Sequence, residues 1–242
     1  MNQLIIKFVF IIQHLQMNFS VKKIVPIFLL PILILGCIKE IDLTEGENPN
    51  TNNSNSEITN HYKRIGMYDG SFDDLIDNNP CSSVKLPVSI LANNIPLTIT
   101  NTADYQLVLN IFNLSPFDTD VVAFNFPVTI LNQDYGQTSI TSQAQFDNLS
   151  AVCNQAITNN LGAITCVNIV YPIKISLYNT TTEQTTIISV SKDQDLFNFM
   201  ANLSVNEVYS VKYPINAVTI GNVNITVNGD SQLKSIINDC IN

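Results

Sequence analysis

The chain has no tryptophan and only two histidines, and just 13% of its residues are charged. His14 precedes the first cysteine, Cys37, so His61 is the single histidine in the rest of the chain. A Ser-His-Asp or Cys-His catalytic group would depend on that one residue, which we expect in a linker. The HExxH, GxSxG, P-loop and GxGxxG motifs are also absent from the sequence. We therefore predict that the protein is not an enzyme and uses no cofactor.

Basic residues are scarce downstream of Cys37. Of 11 Lys and Arg, three (Lys7, Lys22 and Lys23) precede that cysteine, whereas all 20 Asp and Glu follow it. The remaining 11 − 3 = 8 basic residues against 20 acidic ones give a formal charge of −12 from Cys37 onward. Such a charge repels a phosphate backbone, so we exclude nucleic acid as a partner.

Carboxylates alone can hydrolyse glycosidic bonds. A carboxylate-dependent polysaccharide-acting enzyme at the cell surface is therefore the alternative to a non-catalytic role.

An apolar run ends at a small residue and a cysteine, in the sequence Pro31-Ile-Leu-Ile-Leu-Gly-Cys37. Lys22-Lys23 precede residues 24–35, which are all apolar or proline and have the length of a signal-peptide core. A membrane-spanning helix needs about 20 apolar residues. The run resembles the lipobox of bacterial lipoproteins. The resemblance implies that residues 1–36 are a signal peptide, that Cys37 carries lipid, and that this lipid binds the protein to a membrane.

The residues after Cys37 bear on location and mobility. Lys39-Glu40 and Asp42 resemble the lysine-plus-acidic signal by which some Gram-negative groups send lipoproteins to the outer face of the outer membrane. That resemblance implies an outer-membrane protein facing the cell surface, with a periplasm-facing position as the alternative. Residues 45–57 contain no large apolar side chain, which predicts a flexible tether. We assign residues 37–80 to the lipidated N-terminus, this tether and a loosely structured lead-in.

The rest of the chain contains a repeated pattern of strand, polar turn, strand and short helix. The first strands of the four repeats are Leu86-Pro-Val-Ser-Ile90, Phe126-Pro-Val-Thr-Ile130, Tyr171-Pro-Ile-Lys-Ile175 and Tyr213-Pro-Ile215. We predict an α+β fold with a tandem duplication, residues 81–153 and 166–240, joined by a linker over 154–165. Each copy is expected to hold two strand-strand-helix units that form an antiparallel sheet with its helices on one face. This part resembles repeat-containing hypothetical envelope lipoproteins, and the resemblance implies no particular activity.

Four cysteines remain once Cys37 is assigned to lipid. Cys81 and Cys166 each lie six residues before a proline, and Cys153 and Cys240 each lie 26 residues after one. An even number of cysteines in an exported protein predicts disulfides. The duplication favours Cys81–Cys153 and Cys166–Cys240, although four cysteines allow two other connectivities.

The sequence contains no cysteine or histidine cluster of the kind that binds zinc, and we predict no metal site. The nearest approach to one is Asp69-Gly-Ser71-Phe-Asp73, which has the alternating oxygen spacing of the first half of a calcium loop. Asp74 and Pro80 stand where an EF-hand loop requires Gly and Glu, so a solvated acidic loop is the preferred interpretation.

Together these features predict a lipid-anchored cell-envelope protein with a non-catalytic binding or structural role. Its partners would be the membrane, through lipid on Cys37, and an envelope or extracellular protein or glycan.

The start of the chain gives a first testable prediction. Met17 begins a normal signal peptide by itself, whereas Met1 places a second apolar patch, residues 4–12, ahead of it. We therefore expect N-terminal sequencing of the precursor to read Met17-Asn-Phe-Ser. A precursor that begins at Met1 would contradict this prediction.

Overall fold

Residues 48–241 are described by the structure, a computed structural model, and they form antiparallel sheets and helices in an α+β arrangement. The predicted signal peptide, the lipidation site Cys37 and the export-like signal lie outside these residues. No helix within residues 48–241 is long and apolar enough to cross a membrane.

The elements follow one another as short strands, hairpins and helices. The strands are β1 Asn52–Asn53, β2 Ser82–Val84, β3 Val88–Ala92, β4 Ile95–Ile99, β5 Val122–Phe124, β6 Val128–Asn132, β7 Gln137–Ile140, β8 Val167–Ile169, β9 Ile173–Asn179, β10 Gln184–Val190, β11 Glu207–Val211, β12 Ile215–Thr219 and β13 Val223–Val227. The helices are α1 Glu57–Ile65, α2 Asp74–Asp77, α3 Tyr105–Phe112, α4 Gln143–Thr158, α5 Asp193–Ala201 and α6 Asp230–Ile241. Two 3-10 turns, Ser71–Asp73 and Thr102–Asp104, precede α2 and α3.

All four predicted hairpins form, as β3–β4, β6–β7, β9–β10 and β12–β13. In each one, the residue after the proline pairs with the last residue of the second strand, and both are buried because alternate strand positions face the core. These pairs are Val88–Ile99, Val128–Ile140, Ile173–Val190 and Ile215–Val227. The prolines themselves lie just before the strands, where a missing N–H costs the sheet no hydrogen bond.

The sheets differ from the expected four-stranded sheet in each copy. A short strand precedes each hairpin and pairs with the neighbouring hairpin: β2 joins β6, β5 joins β3, β8 joins β12 and β11 joins β9. Two three-stranded sheets therefore form in the N-terminal half, residues 82–158. The C-terminal half, residues 167–241, has one three-stranded sheet and one that β1 extends to four strands. The peptide bond before each of the four prolines, where the chain passes between sheets, is cis.

Each helix that follows a hairpin begins with the same backward hydrogen bond. A side-chain oxygen accepts from the backbone N–H four residues earlier, which satisfies a donor that a helix N-terminus leaves unpaired. These bonds are Thr100 N–H to Asp104, Thr141 N–H to Gln145, Ser191 N–H to Asp195 and Asn228 N–H to Gln232. Each of these helices also contacts its own hairpin.

The structure contains the two disulfides that the duplication favoured. Cys81 bonds Cys153, which lies 72 positions later in the sequence, and Cys166 bonds Cys240, which lies 74 positions later. Closing loops of this length lowers the entropy of the unfolded chain, which in the chain-entropy model stabilises the fold by roughly 4 kcal/mol per bond.

The predicted flexible tether does not extend through the described residues. Residues 52–53 add a strand to the C-terminal half, and α1 buries Ile58, Tyr62 and Ile65 in the core of that half. His61, which we expected in a linker, is only 5% exposed, and burial lowers the pKa of its imidazole. The asparagines that predicted a flexible segment instead make specific hydrogen bonds. For example, the Asn52 amide donates to the Asp230 carboxylate at 2.5 Å.

The lead-in segment also contributes to the other half. After α1 the chain turns at Gly66, and the core of the N-terminal half takes in Ile76 together with Val108 and Phe146. The Tyr135 hydroxyl donates to the Gly66 carbonyl at 3.0 Å, and the Tyr135 ring lies 6.0 Å from that of Phe197. Residues 48–80 therefore pack first on the C-terminal half and then on the N-terminal half.

The close approach of α1 to α5 gives a stability prediction. A Cβ on Gly66 would lie 2.6 Å from the Phe197 backbone nitrogen and 2.8 Å from the Asp193 carbonyl oxygen. These are backbone atoms that cannot rotate away, so Gly66→Ala should destabilise the fold by about 1–3 kcal/mol in urea denaturation.

Gly162→Ala is the matched control for this substitution. A Cβ there would meet only side-chain atoms at 3.6 Å or more, an ordinary contact. We expect its unfolding free energy to stay within about 0.5 kcal/mol of wild type. Equal stability of the two variants would contradict the packing of α1 described above.

Candidate functional site

An acidic cleft of about 520 Å³ lies in the N-terminal half. Its walls come from α2, the end of α3, β5 with the residues before it, and α4. Four carboxylates line it, from Asp74, Asp77, Asp120 and Asp147, and none of the described residues that line it is basic. Phenylalanines 112, 124 and 146 supply much of its apolar surface. The cleft therefore suits a ligand that combines apolar surface with positive charge or hydrogen-bond donors.

An exposed apolar loop continues from this cleft. Residues 113–121 join α3 to β5. Phe112, the last residue of α3, and Val121, the last residue of the loop, both line the cleft. Phe117 is 96% exposed, Leu114 is 73% exposed and Val121 is 54% exposed. Large apolar side chains left in water beside a concave surface are typical of a binding site.

A buried polar cluster lies where α2 meets β2. It contains Asp73 and Asp77, which are 0% and 4% exposed. One oxygen of each carboxyl is held by backbone: the Val84 N–H donates to Asp73 Oδ2 at 2.8 Å, and the Asn79 N–H donates to Asp77 Oδ1 at 3.1 Å. The short segment 73–84 thus folds back on itself and positions both carboxyls.

Other polar atoms of this cluster have no hydrogen-bond partner within the described part of the chain. They are Asp73 Oδ1, Asp74 Oδ1, Asp77 Oδ2, Asn79 Nδ2, Ser82 Oγ and the Tyr105 hydroxyl. A buried polar atom without a partner costs roughly 1–3 kcal/mol, and six in this region imply that a bound water or ion satisfies them.

Burial and mutual repulsion shape the electrostatics of the cluster. Burial raises the pKa of the Asp73 carboxyl to about 7. Burial, and after it the charge of Asp73, raises the pKa of Asp77 to about 9. Burial followed by the charges of Asp73 and Asp77 also raises the pKa of the Tyr105 phenol. These groups are therefore within electrostatic reach of one another.

The calcium-like candidates from the sequence do not meet at one point. Asp69 Oδ1 accepts the Ser71 N–H at 3.0 Å, which forms a local turn, whereas Asp73 is directed to the backbone of β2. In residues 48–241, no three Asp, Glu, His or Cys side chains come together in a way that could bind a metal. Sequence reasoning missed Asp77, Asn79 and Ser82. The only signal was the density of acids and asparagines ahead of Cys81.

A second polar network has a structural role. In the C-terminal half, the hydroxyl of the tyrosine before each proline donates to the aspartate that begins the next helix: Tyr171 to Asp193 at 2.7 Å, and Tyr213 to Asp230. The Tyr62 hydroxyl bonds that of Tyr213 at 2.5 Å, which links α1 to the network. Leu86 and Phe126 stand at the matching positions of the N-terminal half and have no hydroxyl.

Comparison with known proteins gives no external guide to this site. No protein-family model, no curated protein and no solved structure matches the chain.

The raised pKa of Asp77 predicts a pH-dependent stability when divalent cations are removed with EDTA. Its carboxyl has an ordinary pKa of 3.8 and a folded pKa of about 9. Between these values the native state binds the extra proton, so stability decreases as pH rises, by up to about 1.4 kcal/mol per pH unit. Asp77→Asn resembles the protonated form and removes this slope. Relative to wild type, we expect the variant to gain stability from pH 5 to pH 8 in urea denaturation.

The exposed Asp147 provides a control for that measurement. Asp147→Asn removes one carboxylate outside the buried cluster, so it should not reproduce the stability gain expected for Asp77→Asn. Parallel pH profiles for wild type and Asp77→Asn would show that the buried carboxyl does not titrate in this way.

Proposed function

We propose that the protein is a lipid-anchored protein of the cell envelope with a non-catalytic binding role, and that the acidic cleft and the adjoining loop 113–121 form its binding surface. The observation that carries this proposal is the exposure of Leu114, Phe117 and Val121 beside a cleft lined by four carboxylates. The partner that fits is an envelope or extracellular protein with an apolar, basic segment. A glycan partner would gain less, because the aromatic side chains that line the cleft are phenylalanines without hydroxyls.

The anchor is part of the same proposal. The lipobox-like run before Cys37 supports lipid attachment at the outer membrane, and Lys39-Glu40 with Asp42 support exposure at the cell surface.

We also propose that the folded part arose by tandem duplication, with helices packed on one side of each pair of hairpins. Three repeated features support it. The short strand before each hairpin pairs with the neighbouring hairpin in both halves. The four helices that follow the hairpins share one backward hydrogen bond. A disulfide spans each half.

The alternative function, a carboxylate-dependent polysaccharide-acting enzyme, is favoured by one observation. The cleft holds both Asp77, with a pKa raised to about 9 by burial, and the exposed Asp120 and Asp147. Glycoside hydrolysis uses a pair of carboxyl groups that flank the scissile bond. Release of reducing ends from envelope polysaccharides, abolished by Asp147→Asn, would favour this function over binding.

The anchor is tested by labelling cells with a palmitate analogue. Wild-type protein should take up the label and sediment with membranes, whereas Cys37→Ser should lose both properties because no other residue replaces its thiol. Protease added to intact cells should then remove the wild-type folded part. A protein that is cut only in permeabilised cells faces the periplasm, and a labelled Cys37→Ser variant would contradict the anchor.

The binding surface is tested with a photocrosslinking amino acid placed at Phe117. Val205 is the matched control, because it is 83% exposed but lies in the loop between α5 and β11 of the other half. On intact cells we expect one discrete adduct from position 117 and none from position 205. No adduct at 117, or equal adducts at both positions, would contradict a binding role for this surface.

A further inference from the structure

We propose that the buried cluster formed by Asp73, Asp77 and Ser82 binds one divalent cation, with Ca²⁺ as the best match. The proposal concerns a structural site and does not depend on the proposed function. It revises our prediction that the protein has no metal site, and it moves the calcium candidate from Asp69 and Ser71 to residues further along the chain.

The first argument is the direction of the carboxyl oxygens. Each carboxyl uses one oxygen to accept a backbone N–H and leaves the other, Asp73 Oδ1 or Asp77 Oδ2, without a partner. Backbone contacts fix the orientation of both groups, so the two remaining oxygens are held in place rather than free to turn toward solvent. Neither atom is exposed to water.

The second argument is independent of the acids. Ser82 is 1% exposed, and its hydroxyl oxygen has no partner in the described residues. The segment carrying the carboxyls encloses it: the Asn79 carbonyl accepts the Ser82 N–H at 3.2 Å, and a Cβ on Gly70 would lie 2.2 Å from the Ser82 carbonyl oxygen. A hydroxyl that is fully buried without a partner is rare in folded proteins and implies an unseen ligand.

Charge selects the kind of ligand. When both carboxyls are ionised they carry a charge of −2 that no described basic side chain neutralises, since neither Asp73 nor Asp77 takes part in a salt bridge. One divalent cation balances that charge and replaces the repulsion between the carboxylates with attraction to a common ion.

Ligand chemistry selects the ion. The side-chain atoms that are free to coordinate are oxygens, which suit Ca²⁺ and Mg²⁺ and disfavour zinc or copper. A three-oxygen set on a short, tightly turned segment lacks the near-ideal octahedron that Mg²⁺ demands, whereas Ca²⁺ accepts irregular geometry and completes its shell with water. Such water would also give the Asn79 amide and the Tyr105 hydroxyl the partners they lack.

The C-terminal half shows that the fold alone does not need these acids. Residues 154–165, which lead into Cys166 as residues 69–80 lead into Cys81, contain no Asp or Glu. The corresponding disulfide and short strand still form. The carboxyls of the N-terminal half are therefore an addition to the common architecture.

Thermal unfolding of the full chain with EGTA or with Ca²⁺ tests the proposal. Oxygen sites with few carboxylates in extracellular modules bind Ca²⁺ with a Kd of about 0.1–1 mM. At 10 mM Ca²⁺ we therefore expect the Tm to rise by roughly 3–10 °C. The Tm of Asp77→Asn should not respond, while that of Asp147→Asn, with its cleft carboxylate outside the cluster, should rise as in wild type. No rise in wild type, or an equal rise in Asp77→Asn, would overturn the proposal.

A second measurement covers the case in which Asp77→Asn does not fold. The chain has no tryptophan, so excitation of tyrosine should sensitise Tb³⁺ luminescence only where Tb³⁺ lies near a tyrosine such as Tyr105. We expect saturation at one equivalent and loss of the signal when Ca²⁺ is added. Several equivalents with no competition by Ca²⁺ would identify nonspecific binding to surface acids and overturn the site.

Discussion

The whole fold depends on the way in which short strands are exchanged between neighbouring hairpins. A two-stranded hairpin by itself is marginally stable in water, and a third strand with a shared apolar face makes it stable. Here the third strand always comes from the adjacent repeat, so β2 completes the sheet of β6 and β5 completes the sheet of β3. Neither hairpin of a half can therefore reach its final structure without the other, and the disulfide of each half joins the start of this arrangement to its end.

The N-terminal segment makes the two halves mutually dependent as well. α1 and β1 complete the C-terminal half, and the turn after α1 leads directly into the segment that packs on the N-terminal half. The bond from Tyr135 to the Gly66 carbonyl lies at the junction. Both halves therefore contact the same connecting segment. Residues 52–65 are a structural part of the folded protein and not a spacer.

The two halves use this common plan differently. In the C-terminal half, tyrosine–aspartate bonds and α1 cover the region around the helix ends. In the N-terminal half, leucine and phenylalanine stand at the positions of those tyrosines. The shorter helix α2 lies there, beside an open cleft and a set of unpartnered carboxyls. The proposed binding surface therefore lies in the half that lacks the tyrosine–aspartate bonds, which agrees with the general placement of sites at local departures from a regular fold.

The amino-acid sequence by itself determined the local structure. Alternating apolar residues after each proline predicted the four hairpins, the repeated pattern predicted a short helix after each hairpin, and matched cysteine spacings favoured the two disulfides. These features depend on neighbours in the chain or on equal spacing, which a sequence displays directly. The strand exchange, the burial of α1 and the polar cluster were decided by tertiary structure alone. Three-residue strands such as β2 carry too little periodicity to reveal a partner about 50 residues away. The asparagines of residues 48–55 are typical of a disordered segment. In the structure, however, Asn52 donates a hydrogen bond to Asp230, which is far away in the sequence. Likewise, the sequence around Asp73 and Asp77 is typical of an ordinary acidic turn. Only the burial of these two carboxyls beside Ser82 of β2 makes the three residues a candidate ion site.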